Sequence, residues 1–355
     1  MFKPNFTITN KTIRYLSEIA EARTIILNAR LVPKWEIDLR HQALINSTHA
    51  STSIEGNRLS LEEVSDLMIG RKITATVKDK KEVLNYFEAL RYLDTLAKEK
   101  EILEKDILKL HKIITKNVLD DSQNSGHYRT PADEEKKGRV VVAEQVAGLT
   151  RKITFMPPSA KETPKKIREF VVWLNSKETK ETDPVLEAGI AHYEFVRIHP
   201  FVDGNGRTAR ALASLILLKR GFDTKRFFTL DDFYNSDRSR YYEALKTVDQ
   251  KTLDLTKWLD YFCEGVAIST KAVKDKVIML TGGKKKDSKA EQVALDYKQV
   301  KVVEFLQKEG EITNRRIRDL LKVSNKTVYK LLLDLTKNKV IKKVGKGRSV
   351  YYVLR

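Results

Sequence analysis

Twelve residues joining two apolar helical patterns, His199 to Arg210 (HPFVDGNGRTAR), constrain this 355-residue chain more than any other stretch. Upstream, LEAGIAHYEFVRI places Ala188, Ile190, Ala191, Phe195 and Ile198 at helical spacing. Downstream, TARALASLILLKRG stays apolar as far as Gly221, a residue suited to ending a helix in the left-handed conformation. The stretch between them is predicted to be a helix-loop-helix joint. Gly204, Asn205 and Gly206 can take positive φ and turn successive N–H groups inward, making an anion nest at the N-terminus of the second helix. Arg207 and Arg210, three apart, fall on one face of its first turn and can grip further phosphate oxygens. Asp203 offers a carboxylate that can share a hard cation such as Mg²⁺ with those phosphates. His199 has a side chain whose ordinary pKa suits it to take a proton from a hydroxyl. Taken singly these residues read equally well as a turn, a solvated helix face and a structural histidine. Their order within one loop points to nucleotide chemistry.

Eight positions, His199, Phe201, Asp203, Gly204, Asn205, Gly206, Arg207 and Arg210, match the signature HxFx[DE]GNGRxxR, so the chain resembles the Fic family. The resemblance implies a mainly α fold, an all-α core carrying a β-hairpin flap. It also implies transfer of the AMP part of ATP, with Mg²⁺, onto a Ser, Thr or Tyr hydroxyl of a protein substrate, and reverse removal of AMP in the same site. In those terms His199 is the base and Asp203 the metal ligand. Gly204, Asn205 and Gly206 hold the α- and β-phosphates, Arg207 and Arg210 hold the outer ones, and Thr208 and Ala209 lie in the same ATP-binding turn. Phe201 anchors the loop in the core. The chemistry agrees with the residue-level reading, because phosphoryl transfer is mostly positioning and charge stabilisation. A phosphate donor other than ATP stays open, since the motif specifies phosphates better than it specifies the base.

Residues 1 to about 100 read as helices. Asn10 or Thr12 can cap the first, Pro33 interrupts before the second (about 37–56), and Ser60 with Glu63 forms a capping box for SLEEVSDLMIG. Glu55 is anomalous, because an acid in a last helical turn is disfavoured by roughly 0.3–1 kcal/mol and so suggests a cationic partner. The family resemblance supplies one. Ser51, Glu55 and Gly56 fit the pattern [ST]xxxE[GN] of an inhibitory helix whose Glu pairs with the second arginine of the signature, here Arg210, and blocks productive seating of ATP.

The catalytic core is expected over 101–280. KDILKLHKIITKNVL is amphipathic through Ile107, Leu110, Ile114 and Val118, and His111 among them reads as a satisfied helix histidine. SGHYRTPADEEKKGRVVVAEQVAGLTRKITFMPP lacks helical periodicity, and RVVVA and RKITF are β-like. This stretch resembles the Fic flap, which aligns a target segment by strand addition, with GxYR at Gly126, Tyr128 and Arg129 and the closing Pro157 and Pro158. Ile153, Thr154 and Phe155 are the flap residues expected at the nucleotide; any surface hairpin would read the same way. Tyr241 and Tyr242 match a pair that lines the nucleoside side in the family, and adjacent helical residues point about 100° apart, so one can face adenine and the other the core.

The single cysteine, Cys263, excludes an intramolecular disulfide and suits a reducing compartment. No run of about eighteen apolar residues occurs, so a cytoplasmic protein with no membrane span is expected. GGKKKDSKAE reads as a linker (281–296) to a second domain at 297–355. Helices capped by Thr313 and Ser324 and two strands about Gly345 and Gly347 resemble a winged helix-turn-helix. This segment holds 16 Lys and Arg against 5 Asp and Glu, a net +11 of the chain's +19, which favours DNA phosphates. Asn325, Lys326, Thr327, Tyr329 and Lys330 are the expected base-reading residues, with Lys346 and Arg348 on the wing. Winged helices also bind proteins, so two further readings stand: a protein-docking module, or a DNA-binding regulator whose Fic site acts only on itself. A homodimer is common in the family, and no residue here marks one.

Overall fold

The computed structural model describes residues 2–137, 142–146, 149–223, 225–282, 297–321, 323–337, 340–345, 347 and 350–354. The chain divides into two compact units, Met1–Thr24 with Ala43–Val273, and Ile25–Gln42 with Lys274–Arg355. Helices α1 (Asn10–Asn28), α2 (Pro33–Ile54), α3 (Leu61–Met68), α4 (Val77–Leu96), α5 (Glu104–Ile114) and α6 (Pro131–Lys137) lead to an antiparallel hairpin, β1 (Val142–Val146) and β2 (Leu149–Phe155). Then follow α7 (Thr163–Leu174), α8 (Lys177–Glu181), α9 (Pro184–Ile198), α10 (Asn205–Lys219), α11 (Asp231–Ser236), α12 (Arg238–Lys246) and α13 (Thr256–Gly282). After these come α14 (Tyr297–Glu309), α15 (Asn314–Leu321), α16 (Asn325–Lys337) and a second antiparallel hairpin, β3 (Ile341–Val344) and β4 (Tyr351–Leu354).

The first unit is built round α9. Every residue from Val185 to Phe195 is buried, as expected of a helix enclosed on all sides, and α10 folds back against it. Gly189 permits the close approach of α13, since a Cβ there would meet Leu259 at 2.9 Å, and Trp258 Nε1–H donates to the Gly189 carbonyl at 2.8 Å. Ile107, Leu110 and Ile114 of α5, Tyr86 and Leu93 of α4 and Phe201 of the signature loop complete the same core. Cys263 lies there fully buried, and burial pushes its thiol up, as befits an inert structural cysteine.

Several local expectations are corrected. The first helix is capped by Thr9 rather than by Asn10 or Thr12: its Oγ1 accepts Thr12 N–H at 3.1 Å, and both threonine hydroxyls donate to Asp260. Pro33 opens α2 instead of preceding it, because a proline at the first helical position has no N–H to waste. The stretch read as lacking helix contains α6, which Thr130 and Asp133 cap reciprocally through Asp133 N–H to Thr130 Oγ1 and Thr130 N–H to Asp133 Oδ2. The capping box at Ser60 and Glu63 is present.

In the second unit Val302, Val303, Leu306, Ile312, Ile317, Val328, Leu331, Leu332, Leu335, Val340 and Ile341 form one apolar core. Thr313 Oγ1 accepts Arg316 N–H and Ser324 Oγ accepts Thr327 N–H, so both expected caps are made. Ile312 bridges to Tyr352 of β4 through two backbone bonds of 2.9 Å, tying the hairpin to the α14–α15 corner. Most of the expected linker, residues 283–296, lies outside the described residues, as do Lys346 and Arg348 of the expected wing.

Candidate active site

The signature loop leaves α9 through a disfavoured backbone. His199 is left-handed (φ 49°, ψ 59°), a conformation costing a non-glycine residue roughly 1–2 kcal/mol. It also precedes Pro200, which normally pushes its neighbour into extended geometry. Arg129, between α5 and α6, holds the kink. Its Nε donates to the His199 carbonyl at 2.8 Å, its Nη2 to the Pro158 carbonyl at 2.5 Å, and its backbone N–H to Pro200 O at 3.0 Å, while Glu134 pairs with Nη1 at 2.6 Å. The GxYR spacing was the visible signal, but that Arg129 clamps the base was not legible from it.

His199 Nδ1–H donates to the Val196 carbonyl at 3.2 Å, which leaves Nε2 as the proton acceptor. Burial, with Arg129 adding to it, pushes the half-buried imidazole down to about 4, so it is neutral at pH 7 and able to take a proton.

The rest of the loop is braced from within. Phe201 is fully buried and lies parallel to the His111 ring, centroids 3.5 Å apart. His111 Nδ1 accepts Gly126 N–H at 3.0 Å, so Nε2–H donates to the Asp203 carbonyl at 2.9 Å. It is the satisfied helix histidine expected, and it also props the loop. Gly204 (φ 78°) has no room for a side chain, since a Cβ would meet Thr115 Cγ2 at 2.9 Å. The anion nest is narrower than expected, because Gly204 alone has positive φ; Asn205 and Gly206 are already helical. Asn205 spends its amide on the loop itself, with Nδ2 donating to Phe201 O and Oδ1 accepting Phe201 N–H, both at 2.9 Å. Thr208 Oγ1 donates to Gly204 O, and Ala209 is buried, so both side chains serve packing. Asp203 keeps a half-exposed carboxylate, its Oδ1 accepting Gly204 N–H and lying 3.7 Å from Arg207.

The N-terminus of α10 is where an anion belongs, and the chain's own acid sits there. A Cβ on Gly206 would collide with the Glu55 carboxylate. Arg210 Nη2 donates to Glu55 Oε1 at 2.8 Å and to Ser51 O at 2.9 Å, and its Nε donates to Ser51 Oγ at 2.8 Å. Burial works against the Arg210 charge, but Glu55 and then Tyr241, Tyr86 and Asp231 raise its pKa above the ordinary arginine value. Glu55 follows the last residue of α2, and Gly56 (φ 94°) ends the turn, so a position poor for α2 is favourable for α10. Arg207 is buried 3.5 Å from Glu82, and its Nε and Nη1 have no hydrogen-bond partner among the described residues.

Tyr241 is buried with its hydroxyl 2.9 Å from His192 Nε2, whereas the neighbouring Tyr242 is 40% exposed, so the pair divides between core and surface. Of the flap residues, Ile153 pairs with Ala143 in the hairpin, Thr154 lies in β2, and Phe155 is half-buried. Of the strand expected over 139–143, residues 139–141 lie outside the described residues, and Val142 and Ala143 are in β1. Among the described residues no group of three or more His, Cys, Asp or Glu side chains could hold a metal, and no helix is long and apolar enough to cross a membrane.

Burial pushes His111 to about 4 and His192, with the Arg210 charge adding to it, to about 3. For such groups the unfolded chain binds a proton below pH 6.5 that the folded chain refuses. Their contribution is therefore complete above 6.5 and lost as pH falls. Urea midpoints should show His192→Gln losing less stability than the parent between pH 6.5 and 4, the difference growing by up to about 1.4 kcal/mol per pH unit.

Residues 101–217, which hold the kinked helix-loop-helix signature, match the model of the Fic/DOC family. Protein adenylyltransferase fic-1 of Caenorhabditis elegans is 34% identical over 177 residues, 48% of this chain and 31% of that protein. Protein adenylyltransferase Fic of Drosophila virilis is 29% identical over 261 residues, 68% of this chain and 47% of that protein. The chain thus spans less than half the length of these curated relatives. A crystal structure of a Fic family protein from Desulfovibrio desulfuricans shares the fold over 100% of this chain and 98% of its own, with TM-score 0.65 and 21% identity. Fic-1 from C. elegans aligns over 77% of this chain and 73% of that one, with TM-score 0.58 and 25% identity.

Proposed function

We propose that this protein is a self-inhibited protein adenylyltransferase, transferring AMP from ATP to a Ser, Thr or Tyr hydroxyl of a protein. The observation that carries the reading is the Glu55 carboxylate held by Arg210 at the N-terminus of α10, an acid occupying a site shaped for phosphate. In the reaction His199 Nε2 takes the hydroxyl proton, the oxygen attacks the α-phosphorus and pyrophosphate leaves. The α10 N-terminus and Arg210 receive phosphate oxygens once Glu55 withdraws. Arg207, whose Nε has no hydrogen-bond partner among the described residues and whose Nη1 has only the longer ion pair to Glu82, suits the same anion, because a buried donor without a hydrogen bond is otherwise costly. Asp203, the half-exposed carboxylate of the loop, would hold Mg²⁺, whose charge supports the phosphates. Tyr242 is the nucleoside-facing member of its pair and β2 the strand that aligns the target segment. Run backwards, the same site removes AMP. The buried lone cysteine suits a cytoplasmic setting.

The test is transfer of label from ATP carrying it in the α-phosphate, with Mg²⁺, by the parent, Glu55→Gly and Glu55→Gly/His199→Ala. Label that rises in the first variant and disappears in the second is the expected result; bound ATP with no label in any of the three would move the assignment to another donor, which competition among nucleotides would then identify.

A second activity rests on the C-terminal unit, read as a winged helix. Asn325, Lys326, Tyr329 and Lys330 of α16 are exposed and Thr327 half-buried, in a segment of net charge +11. Binding of duplex DNA by the full chain should weaken steeply with salt, losing a factor on the order of 10³ between about 50 and 200 mM. Binding that ignores salt would indicate a protein-docking module instead.

A further inference from the structure

Arg210 faces a second acid that no part of the signature or of the inhibitory pattern contains. Asp231, the first residue of α11, is buried with one carboxylate oxygen 3.5 Å from Arg210 Nε. Its other oxygen, Oδ2, accepts the hydroxyl of Ser47, one turn before Ser51 on α2. The two acids differ in kind. Glu55 is partly exposed, stands at a helix end beside a left-handed glycine, and hydrogen-bonds the guanidinium. Asp231 is enclosed by His192, Tyr234 and Leu230, and its Oδ1 makes no hydrogen bond among the described residues. Aiming of Arg210 is done by Ser51, through its hydroxyl and its carbonyl. What Asp231 supplies is charge.

We infer that Asp231 is a standing counter-ion for Arg210, a specificity- and brake-setting residue that shares the guanidinium with whichever anion, Glu55 or phosphate, occupies the α10 N-terminus. Withdrawal of Glu55 alone would otherwise leave a fully buried cation uncompensated, a strongly disfavoured state that would lock the brake. With Asp231 present the guanidinium keeps a partner, so Glu55 can leave. The same sharing weakens the pull of Arg210 on phosphate. This rests on the reading of the site as nucleotide-binding, but its first consequence does not.

The experiment uses the full chain as parent, Glu55→Gly, Asp231→Asn and the double variant. Asn keeps the shape of Asp231 and removes its charge. Thermal melting should be non-additive: the double variant should lose more than the sum of the single losses, because only there does Arg210 have no anion. Additive losses overturn the inference whatever the protein's activity. Titration with ATP follows: Glu55→Gly/Asp231→Asn should bind about five-fold more tightly than Glu55→Gly, the coupling expected of a shared buried charge. Equal or weaker binding overturns it as well. Should Glu55→Gly bind no ATP, the nucleotide reading itself falls, and the binding part of the inference with it. If Asp231→Asn does not fold, Asp231→Ser carries the same comparison. Ser47→Ala, which keeps the carboxylate, should leave ATP affinity within about two-fold; tightening equal to that of Asp231→Asn would assign the effect to packing and overturn the role of charge.

Discussion

Glu55→Gly is expected to raise AMP transfer from ATP by on the order of 10- to 100-fold over the parent. On the proposed function the carboxylate and the outer phosphates would compete for one place: the N–H groups at the start of α10 and the Nη edge of Arg210. A buried, hydrogen-bonded pair must be broken before phosphate can enter, and truncating the acid removes that step. The substitution removes only a side chain beyond the end of α2, and Arg210 keeps Ser51, so the site stays assembled. Label incorporated per unit time, at ATP well below saturation where the competition is felt, measures it. A rate no higher than the parent's would refute the brake.

His199→Ala, placed in Glu55→Gly, is expected to lower that transfer by about 10²–10⁴-fold while ATP affinity stays within about two-fold. The separation follows from geometry. The imidazole is aimed by Val196 O and by the Arg129 clamp on its own carbonyl, and among the described residues it makes no hydrogen bond to Arg210 or the α10 N-terminus. It therefore acts on the incoming hydroxyl and contributes little to nucleotide binding. Rate by label transfer and affinity by calorimetry test the two halves separately. A parallel fall in both would mean that the loop had collapsed around the missing ring.

Much of the site could be read from the chain alone. The signature is contiguous, so its joint between two helices, the special backbone of Gly204 and the chemistry of His199 and Asp203 follow from local rules of turn and cap. The anomaly of Glu55, an acid where a helix end repels it, was likewise local. The caps at Ser60, Thr313 and Ser324 and the C-terminal order of three helices and a hairpin were legible for the same reason. Thr9 as a cap and the helix α6 are not legible although their cap residues are local, because competing Thr and Asn caps and a span of one or two turns leave periodicity nothing to count.

Other features had no local trace. Nothing near Asn205 says that its amide closes the loop on Phe201 rather than facing a ligand, since that depends on the path between the two residues. Arg129 reaches His199 across 70 positions and His111 reaches Asp203 across 92, each through a side chain that would be unremarkable in isolation. Asp231 reads as an ordinary first-turn acid until α2, α10 and α11 converge and bury it beside Arg210. The sequence by itself determined the chemical groups, the helical class and the joint that carries them, because those rest on propensities within a few residues. Only the tertiary structure decided which charges meet and which are shut away from water, because burial and long-range pairing set the strength of a charge, and they exist only once distant helices have packed.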